Sequence, residues 1–345
     1  MGKAKIIQEF KGGSMARTFL IEKYGQFVVR KIAEKTKDGL GAEKLYNQWK
    51  WLFDFSRQEE GIFPDTGLFV IDKDKVYYDM EYLDMISLRD LLLQPTLERD
   101  HIFALLSTVL HAGSVIAEPI TFYDQSYVKY VKNKHLVKML QRCECISQFN
   151  FYNSDEIIIN GKKMKNLVPL VNEIMNNKGL MKLLQPRSWF RSHGDFTFQN
   201  ILTNGGELRI IDPRGEGPDT VYYDISKLYQ SCHGKYDLLL EGNYFADTVT
   251  HNNIPYIEYG IREGVERFDM VFNVLHDMIP QYYELLDGEG ELDSNWDLIA
   301  RFYEASHFIS MAPFRMKENM AITLTCYAIG LEILNDVVQE YKNML

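Results

Sequence analysis

The sequence predicts an α+β chain in two lobes: a small antiparallel β lobe with one helix over residues 1–84, and a larger, mainly helical lobe over residues 85–345. Three observations carry this. Short β-patterned runs crowd the residues before Leu83, 3.6-residue periodicity dominates after it, and one strand-forming segment, Asp195–Asp212, interrupts the helical half with a dense set of polar residues. A chain of 345 residues is long enough to build two cores.

The first lobe follows element by element. Ile6–Phe10 is short and apolar and is broken by Lys11-Gly12-Gly13-Ser14. Thr18–Glu22 and Gln26–Ile32 read as strands joined through Lys23-Tyr24-Gly25, a hairpin interval with glycine. Ala42–Phe55 places Leu45, Trp49, Leu52 and Phe53 at helical spacing. Leu68–Ile71 and Lys75–Glu81 return to strand character on either side of Asp72-Lys73-Asp74. The second lobe is expected to hold helices over Ser87–Leu93, Ile102–Ile116, Tyr127–Leu140, Tyr223–Leu240, Met270–Leu286, Leu298–Ala312 and Asn319–Tyr341, with a hairpin turn at Gly161–Lys165 and a β insert around Asp195–Asp212. No internal repeat or low-complexity tract appears.

The polar set sits in Ser-His-Gly-Asp-Phe-Thr-Phe-Gln-Asn-Ile-Leu, residues 192–202, followed after a short hairpin by Ile-Ile-Asp-Pro-Arg-Gly, residues 210–215. Asp195 can orient an acceptor hydroxyl and take its proton, and Asn200 and Asp212 are oxygen ligands of the kind Mg²⁺ prefers. The step from Asp195 to Asn200 equals that of the kinase catalytic loop, with Gly194 in place of its Arg. Asp212 ends the apolar run Leu208, Ile210, Ile211, so it reads as the tip of a strand facing a cleft.

On these residues the chain resembles the aminoglycoside phosphotransferase and choline kinase family of small-molecule kinases. The resemblance implies a protein-kinase-like fold, ATP or GTP as phosphate donor, Mg²⁺ as cofactor and a small-molecule acceptor with a free hydroxyl. It makes Asp195 the catalytic carboxylate, Asn200 and Asp212 the metal ligands, and His193 a structural residue pinning the loop. Pro213-Arg214-Gly215 is similar to relatives from bacterial cell-surface polysaccharide pathways, which suggests a sugar, polyol or amino-alcohol acceptor. Gly12, Gly13 and Ser14 are placed to cover nucleotide phosphates with backbone N–H groups, though without G-x-G-x-x-G. Alternation puts Arg30 and Lys31 on opposite faces of their strand, so only one can face the phosphates; relatives often carry Arg there, which favours Arg30, with Glu43 as its partner. Glu81, Tyr82 and Leu83, after Met80, join the lobes where backbone can bond adenine. Asp224 matches a family Asp at the start of a helix and reads as its cap. Arg214, Tyr222, His307 and Arg315, with Phe314, are candidate acceptor contacts without a motif.

Bulk properties narrow the classes. Net charge is −10 with scattered basic residues, the opposite of a nucleic-acid binder, so no nucleic-acid partner is expected. No signal core and no uninterrupted apolar run of bilayer length is apparent, and the four cysteines Cys143, Cys145, Cys232 and Cys326 form no zinc pattern, so a cytoplasmic protein with reduced thiols and no membrane insertion is expected. Homo-oligomerisation through the long C-terminal helix stays open. The rival class is a nucleotide-binding pseudokinase that regulates a protein partner. Such a chain is expected to lack the catalytic carboxylate or a metal ligand, and this one keeps all three. A protein kinase is disfavoured by the missing A-P-E segment after Asp212.

Overall fold

The structure, a computed structural model, describes residues 5–10, 16–36, 39–59, 61–121, 126–287 and 290–345. In chain order its elements begin with β1 (Lys5–Phe10), β2 (Arg17–Lys23), β3 (Gln26–Glu34), α1 (Leu40–Phe55), β4 (Val70–Ile71), β5 (Lys75–Glu81), β6 (Ile86–Ser87), α2 (Leu88–Leu92) and α3 (Arg99–Ile116). There follow β7 (Pro119–Ile120), α4 (Tyr127–Tyr130), a π-helix (Val131–Val137), α5 (Lys138–Cys143), α6 (Asn150–Asn153), β8 (Glu156–Ile159), β9 (Lys162–Lys165), α7 (Leu167–Asn176), α8 (Lys178–Leu183) and β10 (Trp189–Phe190). The last stretch holds β11 (Ile201–Thr203), β12 (Leu208–Ile210), α9 (Val221–Cys232), α10 (Tyr236–Leu240), β13 (Tyr244–His251), β14 (Ile254–Ile261), α11 (Val265–Tyr282), α12 (Trp296–Arg315) and α13 (Met320–Asn343).

The chain is mixed α and β and divides into two compact units: Met1–Ile116 with Ser192–Gly217, and Ala117–Arg191 with Pro218–Leu345. The division departs from the boundary expected between residues 84 and 85. The reason is pairing. β6 adds to β11 with Leu202 opposite Ser87 and Thr203 opposite Ile86, and Leu88, Leu92 and Phe198 are fully buried. The segment that follows residue 84 is thus held by the segment that carries Asp195–Asp212.

The first unit is built on an antiparallel sheet in the order β1-β2-β3-β5-β4. Period-two alternation buries Val29, Lys31 and Ala33 of β3 and Val76, Tyr78 and Met80 of β5. Helix α1 buries Leu45, Trp51, Leu52 and Phe55. Trp51 stacks on Phe55 at 4.2 Å and meets Phe63 edge-on at 5.2 Å. Each such buried side chain contributes about 1.5–3 kcal/mol.

The second unit carries more β structure than its sequence suggests. The hairpin expected at Gly161–Lys165 in this mainly helical half belongs to a larger, four-stranded sheet in the order β13-β14-β8-β9, in which β14 runs parallel to β8. The turn between β13 and β14 is Asn252-Asn253, with φ of 50° and 62°, the left-handed pair that a tight hairpin needs and that Asn tolerates. The expected helix over Tyr223–Leu240 is two. It breaks at Gly234, where a Cβ would lie 2.1 Å from the Phe308 ring, and at Lys235, whose φ is 56°. The helix expected over Tyr127–Leu140 opens into the π-helix in its middle. Helices α9, α12 and α13 supply most of the core, with Tyr223, Tyr229, Phe302, Phe308 and Tyr327 fully buried. Among the described residues α13 alone is long and apolar enough to cross a membrane, yet 78% of that stretch is buried inside the fold, as in a core helix.

Candidate active site

The site is assembled within the first unit from the turn before β11 and the end of β12. Pairing of Ile201 with Ile210 sets Asn200 beside Ile211, and the Ile211 N–H donates to the Asn200 carbonyl at 2.9 Å. Asp212 is therefore the next residue along from Asn200's partner. Buried Phe196, Phe198, Ile201 and Ile210 anchor the loop. The Asn200 side-chain amide donates to the Asp195 carbonyl oxygen at 2.8 Å and to Asp195 Oδ2 at 3.1 Å. Both neighbours are pure acceptors, so Nδ2 faces them and Oδ1 is turned away, with no donor among the described residues.

His193 ties the two strands of the loop together. It is fully buried, packed against Trp51 at 5.7 Å and Phe196 at 5.8 Å. Its Nδ1 accepts from the Asp195 N–H at 3.3 Å, so Nε2 carries the proton and donates to the Ile211 carbonyl at 2.9 Å. Burial pushes its pKa down to about 4, and the ring is neutral at pH 7. Gly194 sits at φ 78°, and the side chain of Arg214 lies 3.0 Å from where its Cβ would be. A residue in the Arg position of the kinase loop would be strained here and would press on Arg214. Asp212 itself holds φ 61°, a left-handed conformation uncommon outside glycine and more accessible to Asp than to most residues.

The cation that meets Asp212 is Lys31, not Arg30. Lys31 is 4% exposed, and its Nζ contacts Asp212 Oδ1 and lies 3.2 Å from Gln48 Oε1. Arg30 falls on the opposite face, directly across from Asp79, to which it donates at 2.6 and 2.9 Å, and it lies over the Tyr77 ring. Burial works against the Asp79 carboxylate, but hydrogen bonds from Arg30 and Lys23 prevail and hold its pKa below the ordinary value. The choice of Arg30 is corrected by strand register: the buried parity of β3 is the odd one. Glu43 is likewise not the partner of the cation. It is exposed in the first turn of α1, and Gln48, five residues on, reaches Lys31 instead. Gln48 also accepts from the Tyr78 hydroxyl at 3.3 Å and donates to the Pro213 carbonyl at 2.8 Å.

The remaining positions are distributed as follows. Gly12, Gly13 and Ser14 lie outside the described residues. Glu81 pairs with Val28, after which Tyr82 and Leu83 leave the sheet, half-buried, with Tyr82 edge-on to Phe27 at 6.2 Å. Arg214 is 3.7 Å from Glu216. In the second unit Tyr222 is buried beside Tyr303, His307 is buried and 3.0 Å from Ser226 Oγ, and Arg315 is paired with Glu318. Asp224 is buried in the first turn of α9, but the cap is Thr220, whose Oγ1 accepts from the Tyr222 N–H at 3.4 Å. Capping by Asp224 is thereby corrected: a helix that starts at Val221 puts residue 224 inside its first turn.

The donor set suits a hard dication. Asn200 Oδ1, just before β11, and the Asp212 carboxylate, just after its antiparallel partner β12, are oxygen donors of the kind that could hold Mg²⁺, which is commonly held by one or two side chains plus phosphate and water. Among the described residues no group of three or more His, Cys, Asp or Glu side chains forms an alternative metal cage.

No protein-family model and no curated protein matches the chain. Among solved structures, one described as "Crystal structure of aminoglycoside-3'-phosphotransferase of type VIII" is similar over 88% of this chain and 92% of that one, at 10% identity and a TM-score of 0.44. Likeness at that level assigns neither an activity nor a substrate.

Proposed function

We propose that this chain is a Mg²⁺-dependent kinase that transfers the γ-phosphoryl group of ATP or GTP to a hydroxyl of a small molecule, a sugar, polyol or amino alcohol of cell-surface polysaccharide metabolism. The observation that carries the reading is the meeting of the buried Lys31 ammonium with the Asp212 carboxylate, one hydrogen-bonded residue from Asn200 and, through Asn200, from Asp195. A lysine and two carboxylates gathered around one strained loop support the reading, because such strain and such clusters concentrate at functional sites.

In this reading Lys31 binds nucleotide phosphates, and the strand end at Glu81–Leu83 holds the base. Asn200 and Asp212 would hold Mg²⁺, which supplies neutralisation of phosphate charge when bound. Asp195 aligns the acceptor hydroxyl and takes up its proton. The Asn200 amide fixes the carboxylate for that task, and His193 holds the loop through its two ring nitrogens. Positioning and charge stabilisation supply most of the rate, since phosphoryl transfer asks little covalent chemistry of the protein.

The test is a metabolite-pool screen with Mg²⁺ and ATP or GTP, read by mass spectrometry beside an Asp195→Asn control. A new phosphorylated small molecule that appears only with Asp195 intact is the expected result and names the acceptor. Lack of both product and nucleotide binding would sink the reading.

A further inference from the structure

We propose that Gln48 is a positioning residue: it fastens Lys31 and the Asp212–Gly215 loop to helix α1, and it does so as a neutral amide where a carboxylate would weaken nucleotide binding. The inference rests on the kinase reading for its ligand, and on geometry alone for the fastening.

Gln48 spans three partners. Its Oε1 faces two donors, Lys31 Nζ at 3.2 Å and the Tyr78 hydroxyl at 3.3 Å, while its Nε2 faces one acceptor, the Pro213 carbonyl at 2.8 Å. Only a side chain with an acceptor and a donor on one planar group satisfies this arrangement. Glutamate would turn a second oxygen toward the Pro213 carbonyl, and leucine would satisfy none of the three. Backbone packing repeats the tie. Gly215 sits at φ 66°, and a Cβ there would fall 2.4 Å from the Asn47 carbonyl and 2.6 Å from the Gln48 nitrogen. The loop carrying Asp212 thus lies against the backbone of α1 as well as on a side chain of it.

Charge decides the identity of residue 48. Lys31, 4% exposed, already meets one carboxylate, that of Asp212. Were Asp212 to hold a metal ion, Lys31 would be left on the neutral Gln48 acceptor, and its charge would be available to anionic phosphates. A glutamate at 48 would compete with Asp212 for the ammonium and add negative charge where phosphates must bind. The contact is therefore not a neutral copy of a helix carboxylate but a different solution, anchoring the loop and sparing the cation.

The full-length chain is compared with Gln48→Glu, Gln48→Leu and Gly215→Ala, each checked for folding by circular dichroism and melting temperature. Hydrogen exchange of the amides of residues 211–216 is measured without nucleotide, and binding of fluorescent ATP and GTP analogues is titrated against Mg²⁺. All three variants are expected to raise loop exchange, by roughly tenfold for loss of the Pro213 hydrogen bond. Gln48→Glu is expected to weaken nucleotide binding by about tenfold, from loss of that bond together with the added charge. Unchanged exchange in both Gln48 variants overturns the fastening, and nucleotide binding by Gln48→Glu equal to or tighter than wild type overturns the role of neutrality. If the wild-type chain binds no nucleotide, the kinase reading fails and takes the phosphate part of this proposal with it, while the exchange result still decides the fastening.

Discussion

Asp195 and His193 lie two residues apart, and their replacements separate chemistry from architecture. Asp195→Ala removes the group that would align the acceptor hydroxyl, so turnover is expected to fall by about 10²–10⁴ with nucleotide affinity little changed. Equal loss of turnover and nucleotide binding would contradict that assignment. His193 makes the opposite kind of prediction. Its pKa is depressed in the folded chain to about 4, against an ordinary value near 6.5. The unfolded chain therefore binds more protons between these values, and stability rises with pH across the window. The contribution is fully present above about pH 6.5, is lost as pH falls toward about 4, and amounts to roughly 3 kcal/mol. His193→Gln keeps a donor for the Ile211 carbonyl and cannot titrate. Its melting temperature should fall less steeply than wild type from pH 6.5 to 4, and an identical slope would place the acid sensitivity elsewhere. The same scale shows what was legible beforehand. The spacing of Asp195, Asn200 and Asp212 announced one polar constellation, because a short loop and a hairpin keep sequence neighbours close. The choice between Arg30 and Lys31 was not legible, because alternation says only that they diverge. The deciding fact is a partner forty-nine positions away, Asp79, which takes Arg30 across the β3–β5 ladder. Gln48 carries no such signal either, because a neutral amide on a helix is not marked by charge as the partner of a cation.

Elements were legible in proportion to how local their causes are. The hairpin of β2 and β3, helix α1 and the long helices α12 and α13 follow from periodicity and turn residues within their own stretch. Hairpin β13–β14 has a local turn signal in Asn252-Asn253, but its place in a sheet depends on pairing of Tyr256 and Ile257 with Ile158 and Ile159, which no local pattern encodes. The break between α9 and α10 could not be read locally, since Gly234 is required by the Phe308 ring from a distant helix. Helix starts give a test at this scale. Asn166 is fully buried, accepts from the Leu167 N–H at 2.9 Å and the Tyr327 hydroxyl at 2.6 Å, and donates to the Phe151 carbonyl at 2.8 Å. Asn319 caps α13 with a bond from the Ile322 N–H at 2.9 Å in a less enclosed setting. Asn319→Ala should cost about 1 kcal/mol, the usual worth of a cap. Asn166→Ala should cost roughly 2–4 kcal/mol, because it also strands a buried hydroxyl and a carbonyl. Chemical denaturation measures both, and equal losses would show that the buried network adds nothing to the cap.

At the scale of the whole molecule, the residues proposed to bind nucleotide and metal fall in one unit, and that unit is discontinuous. The chain leaves that unit after Ile116 and returns to it at Ser192. Between these points β7 and β10 run antiparallel, with Pro119 opposite Phe190, and the Arg191 N–H donates to the Glu118 carbonyl at 2.9 Å. Departure and return are therefore hydrogen-bonded neighbours, and a short Gly-Ser linker can replace the excursion between residues 118 and 191. Lys31, Gln48, Asp195, Asn200 and Asp212 all lie in the first unit, as does the Glu81–Leu83 strand end. A chain of residues 1–118 linked to 191–217 should then fold and bind Mg²⁺-nucleotide within about tenfold of the intact protein, a margin that allows for the loss of one or two supporting hydrogen bonds. A fragment of residues 1–84 should not bind nucleotide, having lost Asp212 for Lys31, the Pro213 carbonyl for Gln48 and the Ile210 N–H for the Ile62 carbonyl. Isothermal titration with ATP and GTP reads all three chains. If the linked chain folds by circular dichroism yet binds no nucleotide while the intact protein does, part of the nucleotide site belongs to the second unit, and the confinement of phosphate and metal contacts to the first is wrong.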